Sequence, residues 1–192
     1  MVYRATLDDD KLSPSEAQLA CYSEEALDLS ALVKKIGHQR DICNKQFLTR
    51  FFKTFFLQRA GVERLDSGLL DFFNLTELDL SHNKIEELDF MSPSLQQLNL
   101  TANMISKISC PRSESLIHLG LAYCPIDNAQ LANISRSFPN LFSLDLAFTK
   151  ITDLQAVCDC MQNLPKLKMI NFKGSPVCLA NKYRSIIKQR FQ

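Results

Sequence analysis

Residues 75–88 read LTELDLSHNKIEEL, and the same frame returns as LQQLNLTANMISKI at 95–108, LIHLGLAYCPI at 116–126 and LFSLDLAFTKITDL at 141–154. Each copy keeps L-x-x-L-x-L-x-x-(N/C/T)-x-I, and the first leucines are 20, 21 and 25 residues apart. In an extended L-x-L segment successive side chains point to opposite sides, so Leu78 and Leu80 turn inward while Glu77, Asp79 and Ser81 turn out. One such unit cannot bury its apolar side alone. Stacking gives each strand a parallel neighbour and joins the leucines into one core.

The frame is the signature of a leucine-rich repeat, whose step is about 20–29 residues. Weaker copies flank the four clear ones. Upstream, Phe52, Phe55 and Leu57 take the leucine places, followed by Val62 and Leu65; downstream, Leu167, Ile170, Phe172 and Val177 do the same. The expected architecture is an α/β leucine-rich-repeat solenoid with six turns over residues 51–177. Its strands are parallel on the concave face, near 55–57, 77–81, 97–101, 118–122, 143–147 and 169–172, and its crossovers are right-handed. Asn83 and Asn103 stand where the chain must turn, and a buried amide there can bond the unpaired backbone of adjacent turns. Cys124, Thr149 and Ser175 hold the same place later, with fewer hydrogen bonds to offer.

The backs of the turns follow from their lengths. The two short steps leave room only for extended or 3₁₀ segments. Behind a Thr152-Asp153 cap, however, Leu154, Val157, Cys158, Met161 and Leu164 have helical spacing. Pro93, Pro139 and Pro165 each precede a first leucine by two residues and end one back before the next strand begins.

Outside the repeats, residues 1–12 are short and acidic and read as a frayed tail. Residues 13–50 read as a helical N-terminal cap. Ser13-Pro14-Ser15-Glu16 forms a capping box for a helix to about Tyr22, and Leu29, Leu32, Val33 and Ile36 give a second amphipathic helix stopped by Gly37. Phe47, Phe51, Phe52, Phe55 and Phe56 read as rings filling the gap between this cap and the first strand, with Phe56 turned outward by alternation. Residues 178–192 read as a C-terminal cap helix, with Tyr183, Ile186, Ile187 and Phe191 on one face and Lys182, Arg184, Lys188 and Arg190 mostly elsewhere.

Composition narrows the function. At 192 residues and 46% hydrophobic content the repeats consume most of the chain and leave no room for a second domain. The 22 Lys and Arg nearly balance 21 Asp and Glu, so bulk charge draws the chain to neither nucleic acid nor anionic membrane. No apolar run reaches the length of a membrane span, and the first residues carry no apolar leader. Seven cysteines, odd in number and scattered at 21, 43, 110, 124, 158, 160 and 178, point to a reducing, cytoplasmic setting.

No catalytic, cofactor or metal site is expected. The histidines at 38, 82 and 118 are too far apart for a metalloprotease motif, and no phosphate-binding glycine loop occurs. On a helix Cys158 and Cys160 stand about 200° apart and cannot share an ion. The expectation puts Cys158 in the core and Cys160 at the surface. The basic group on the last helix reads most simply as a solvated face, with RNA or tubulin-tail binding as its alternative.

A protein partner is expected on the strand face, with no small-molecule substrate. Asp79, Asn99, His118 and Asp145 occupy outward strand positions. In the third and fourth clear turns the outward residues become small (Gly120, Ala122, Ala147), and Tyr123 and Phe148 stand at the edge beside them. Either the two rings anchor a partner over His118, Tyr123, Asp145 and Phe148, or they fold back over the turns as part of the core.

The repeats resemble the short cytosolic leucine-rich-repeat class found in a regulator of protein phosphatase 1, in the spliceosomal A-prime protein and in several axonemal proteins. The ending GSPVCLANKYRSII resembles that class's cap, whose pattern is G-N-P-(apolar)…Y-R-x-x-(apolar). The runs VERLDSGLLDFFNLTELDLSHNKI, SLIHLGLAYCPI and FPNLFSLDLAFTKITDLQAV are most similar to a large intracellular member of ciliary type. The resemblance implies a non-catalytic scaffold or adaptor in the cytosol, cilium or axoneme. Phosphatase targeting and a ribonucleoprotein role are the alternatives it implies. Family caps continue into a further strand that is missing before Gln192, and the expectation is a fragment or short isoform of a longer protein.

Overall fold

The computed structural model describes residues 27–28, 50 and 52–190. Its centre is a six-stranded parallel sheet, each strand three residues long: β2 Thr54–Phe56, β4 Glu77–Asp79, β6 Gln97–Asn99, β8 His118–Gly120, β9 Ser143–Asp145 and β10 Met169–Asn171. Strand neighbours follow chain order, and the register pairs Phe55, Leu78, Leu98, Leu119, Leu144 and Ile170 in one row. That row is the second leucine of each repeat copy, so the sequence frame and the ladder register coincide, including both weak outer copies.

The strands are shorter than the five residues expected for the four clear copies, and the first starts at Thr54 rather than Phe55. The chain turns early for a local reason. The Asp79 carboxylate accepts the Ser81 N–H (2.9 Å), and the next residue, His82, has φ of 59°. Arg59, Ala102, Tyr123, Phe148 and Gly174 take the same left-handed conformation at the same place in their turns. Main-chain bonds between turns nevertheless continue past the strands, from Leu80 N–H to Asn99 O and from His82 N–H to Thr101 O, both at 2.8 Å.

Behind the sheet the backs match the length of each step. The two short steps return through β5 Glu87–Leu88 and β7 Lys107–Ile108, a parallel pair of extended segments. The longer steps hold α1 Asn128–Ser137 and α2 Leu154–Gln162, which pack on each other. Asp127 caps α1 at the Ala129 and Gln130 N–H groups, and Asp153 caps α2 at Gln155 N–H. Helices need about 8–10 Å between axes, whereas strands need about 4.8 Å, so the strand side is the tighter, concave one.

Between the two layers lies one core of leucine, isoleucine and valine, with Leu75, Leu80, Leu95, Leu100, Leu116, Leu121, Leu141 and Leu146 fully shielded. The turn asparagines work as their position implies. Asn83 accepts from Val62 N–H (3.0 Å) and donates to Leu57 O (2.8 Å) and Leu80 O (2.7 Å). Asn103 accepts from Ile85 N–H (3.1 Å) and donates to Leu80 O and Leu100 O (2.9 Å each). Cys124 makes weaker sulfur bonds, donating Sγ to Leu100 O at 3.2 Å and accepting from the Asn103 and Ile105 backbone, while Thr149 and Ser175 form a joint relay onto Leu146 O.

At the N-terminal side β1, Leu27–Asp28, pairs in parallel with β3, Val62–Arg64, so the stretch assigned to a helical cap contributes a strand to the first turn. The capping box at 13–16, the helix through Leu29 to Ile36, and Phe47 and Phe51 lie outside the described residues, as does the tail over 1–12. Phe55 fills the first turn as expected, stacked on Phe52 (4.9 Å between centroids) and edge-on to Phe72 (5.3 Å). Phe56, expected to turn outward, is half-buried.

The C-terminal side closes with a 3₁₀ turn at Pro176–Leu179 and α3, Tyr183–Arg190. The Tyr183 ring sits edge-on to Phe172 (6.5 Å), and Ile186 and Ile187 share the half-buried side, while Lys182, Arg184 and Lys188 are exposed.

One expectation on α2 is reversed. Cys160 is buried, 3% exposed, and Cys158 is half-exposed. The two cysteines flank the Val157–Met161 row at nearly equal angles, so the helix's own periodicity cannot separate them, and packing against the rest of the turn decides.

Candidate functional site

The concave face carries a shallow groove of ≈ 280 Å³ along strands β4, β6, β8 and β9, bordered by Glu77, Asp79, Gln97, Asn99, His118, Gly120, Ser143 and Asp145. That volume is below the about 300–1,000 Å³ of small-molecule pockets, and its open shape suits a macromolecular surface. Four of the six residues singled out from sequence border it: Asp79, Asn99, His118 and Asp145. Tyr123 and Phe148 stand at the turn margin, each in the left-handed position that follows its strand.

At that margin the two rings stack on each other, centroids 4.5 Å apart and planes 10° from parallel, with Tyr123 57% and Phe148 43% exposed. Each ring lies over the following turn, Tyr123 on Phe148 and Phe148 against Gly174, and neither is part of the buried leucine cluster. The left-handed backbone aims consecutive turns' side chains along one edge, and an offset ring pair is the result. On the opposite margin Phe142, 40% exposed, meets the His118 ring edge-on at 6.0 Å. The groove therefore has an aromatic margin on each side. Sequence reasoning missed Phe142 because it stands just before the strand, outside the alternating positions used to find outward residues.

Asp79 is more enclosed than an outward strand residue would be, at 9% exposure. Its oxygens accept from Ser81 N–H (2.9 Å), Gln58 Nε2 (2.8 Å) and Asn99 Nδ2 (3.0 Å). Burial works against its charge, but the Ser81 backbone and hydroxyl together with the Gln58 and Asn99 amides outweigh that penalty, and the carboxyl sits below its ordinary value. Asp79 and Asn99 thus brace the groove wall. Gln58 was not found from sequence, since it lies one turn upstream in the weakest copy.

Among the described residues no group of three or more His, Cys, Asp and Glu is placed to hold a metal ion, and no helix is long and apolar enough to cross a membrane. Burial pushes the Cys110 thiol up to about 11 and the Cys160 thiol up to about 12, which keeps both in the unreactive form.

Residues 73–133 match the model of the family described as Leucine Rich repeats (2 copies). The chain is 35% identical over 147 residues to leucine-rich repeat-containing protein 43 of Mus musculus, covering 72% of this chain and 22% of that protein. The Homo sapiens protein of the same name is 33% identical over 149 residues, covering 73% and 22%. Among solved structures, the Drosophila melanogaster SNF/U2A′ complex aligns over 72% of this chain and 67% of its own, at 21% identity and a TM-score of 0.44. The chain spans about a fifth of the length of the two mammalian relatives. With six strands in the register that the repeat frame dictates, and with the repeat-family match and the two mammalian relatives, the chain belongs to the leucine-rich-repeat proteins.

Proposed function

We propose that this chain is a non-catalytic protein-interaction module, a scaffold or adaptor that binds one protein partner across its concave strand face. The observation that carries the reading is the exposed Tyr123–Phe148 stack at the groove margin. Solvent-facing aromatic pairs held rigidly beside a polar groove have the composition of interface anchors, because rings bury much area at little entropic cost. His118 and Asp145 supply the polar contacts next to them, and Asp79 and Asn99 hold the wall. The proposed setting is cytoplasmic, at a cilium or axoneme. Five free cysteines spread through the described turns fit a reducing compartment.

The experiment is proximity labelling in cells to find the partner, followed by affinity measurement with the purified chain. The double substitution Tyr123→Ala with Phe148→Ala lowers that affinity at least tenfold, about 1.4 kcal/mol, while the melting temperature holds. Unchanged affinity with a lowered melting temperature would show that the rings serve the fold and that binding lies elsewhere.

A further inference from the structure

Along the concave face one row of side chains repeats a single hydrogen bond. Asp79, Asn99, Asp145 and Asn171 each use Oδ1 to accept the N–H two residues on, at Ser81 (2.9 Å), Thr101 (3.1 Å), Ala147 (3.0 Å) and Lys173 (3.0 Å). Gly120 occupies this row in register with Asn99 on one side and Asp145 on the other, and has no side chain to offer. One backbone donor is left over in consequence. The Ala122 N–H, the donor equivalent to those of Ser81 and Thr101, has no hydrogen-bond partner among the described residues, although Ala122 is only 5% exposed. Across the gap, Asp145 spends Oδ1 on Ala147, and among the described residues nothing bonds its Oδ2, not even Asn171, which stands beside it in register as Asn99 stands beside Asp79.

A backbone donor left without a protein partner is answered only by water or by a group that enters the notch. Asn99 shows what fits such a place, since its carboxamide accepts one N–H and donates to a neighbouring carboxylate at once. A guanidinium or ammonium group would answer Asp145 but would meet the Ala122 N–H donor to donor. A carboxylate would accept from Ala122 but repel Asp145. A carboxamide satisfies both.

We propose that the Gly120 notch receives an asparagine or glutamine side chain of the bound protein, its carbonyl oxygen accepting from Ala122 N–H and its amide donating to Asp145 Oδ2. This rests on the concave-face reading above and names the partner chemistry at its centre. The partner completes in trans the row that the chain completes in cis at Asp79, Asn99, Asp145 and Asn171.

The test is an amide-resolved NMR titration of the isotopically labelled chain with the N-acetyl methylamides of asparagine, aspartate and arginine. The Ala122 amide resonance shifts saturably with the asparagine compound and not with the other two. Gly120→Asn supplies the missing carboxamide from the chain itself, and a Cβ there would meet the Asn99 Oδ1 at 3.0 Å, the Thr101 Oγ1 at 3.5 Å and the Asn99 Cα at 3.7 Å, so the Asn99 side chain must shift by a few tenths of an ångström. That variant abolishes the shift, and Asp145→Asn, which keeps an oxygen for Ala147, reduces it several-fold. A stationary Ala122 resonance, an arginine response as large as the asparagine one, or an undiminished response in Gly120→Asn overturns the proposal. If a captured partner loses affinity on removal of Tyr123 and Phe148 but binds Gly120→Asn as well as the parent chain, the interaction face stands and the notch assignment falls.

Discussion

The Phe148 ring lies in the space that a Cβ on Gly174 would occupy. Gly174 follows Phe148 by one turn and shares its left-handed conformation, with φ of 75° against 55°. Tyr123 stacks on Phe148 in turn, so a glycine at the end of the edge lets two rings lie flat along it.

Gly174→Ala is therefore expected to destabilise the fold by roughly 2 kcal/mol, from the left-handed backbone and the displaced ring together. Ala102 already takes φ of 57° at the equivalent place, so the backbone alone does not forbid alanine. In a Phe148→Ala background the cost should fall by about 1 kcal/mol. Strict additivity of the two changes in urea melts would mean that the ring does not depend on the glycine.

The turn ladder predicts a graded series. Asn103→Ala removes one accepted and two donated bonds in a site 5% exposed, leaving Ile85 N–H without its acceptor while Leu80 O keeps Asn83 and Leu100 O keeps Cys124. The expected loss is about 3 kcal/mol. Cys124→Ala at the next turn removes a sulfur bond to Leu100 O and the weak acceptor that the sulfur offers the Asn103 and Ile105 backbone, and should cost less, about 1 kcal/mol. Equal losses at the two positions would show that packing, not the amide, holds the turns together.

Much of this was legible because repetition amplifies a weak local signal. Phe55 and Ile170 would not mark strands by themselves, yet the frame placed both in the row that the ladder register confirms. Positions whose environment depends on a neighbouring turn were less legible. Asp79 looks solvent-facing by alternation, and only the Gln58 and Asn99 amides on either side enclose it. Cys158 and Cys160 are equivalent on their own helix. Gly120 announced a small residue, while its consequence, an Ala122 N–H without a partner among the described residues, is visible only once the neighbouring strands are in register.

The reversed cysteine assignment can be read out chemically. Burial pushes the Cys160 thiol up to about 12, and Cys158, half-exposed, is raised by burial and by the nearby Asp159 and Asp153. The thiolate is the reactive form, so iodoacetamide in the folded state should modify Cys158 at least about tenfold faster than Cys160. Peptide mass spectrometry over a time course resolves the two sites. Comparable rates, or faster labelling of Cys160, would contradict the packing of α2 described above.

Asp79 gives the fold a defined acid sensitivity. Its folded carboxyl lies below the ordinary 3.8, so as pH falls the unfolded chain takes up this proton before the folded one does. The stabilisation is present above the unfolded value and is lost as pH drops through the folded value. In Asp79→Asn the Ser81 N–H keeps an oxygen to bond, but the Gln58 and Asn99 amides lose their shared anion. The variant should be less stable than the parent chain near about pH 6, and the gap should narrow towards about pH 3, since the substitution cannot be protonated there. Urea melts of both chains at the two pH values decide the matter. A gap that stays constant would mean that Asp79 contributes through its shape and not through its charge.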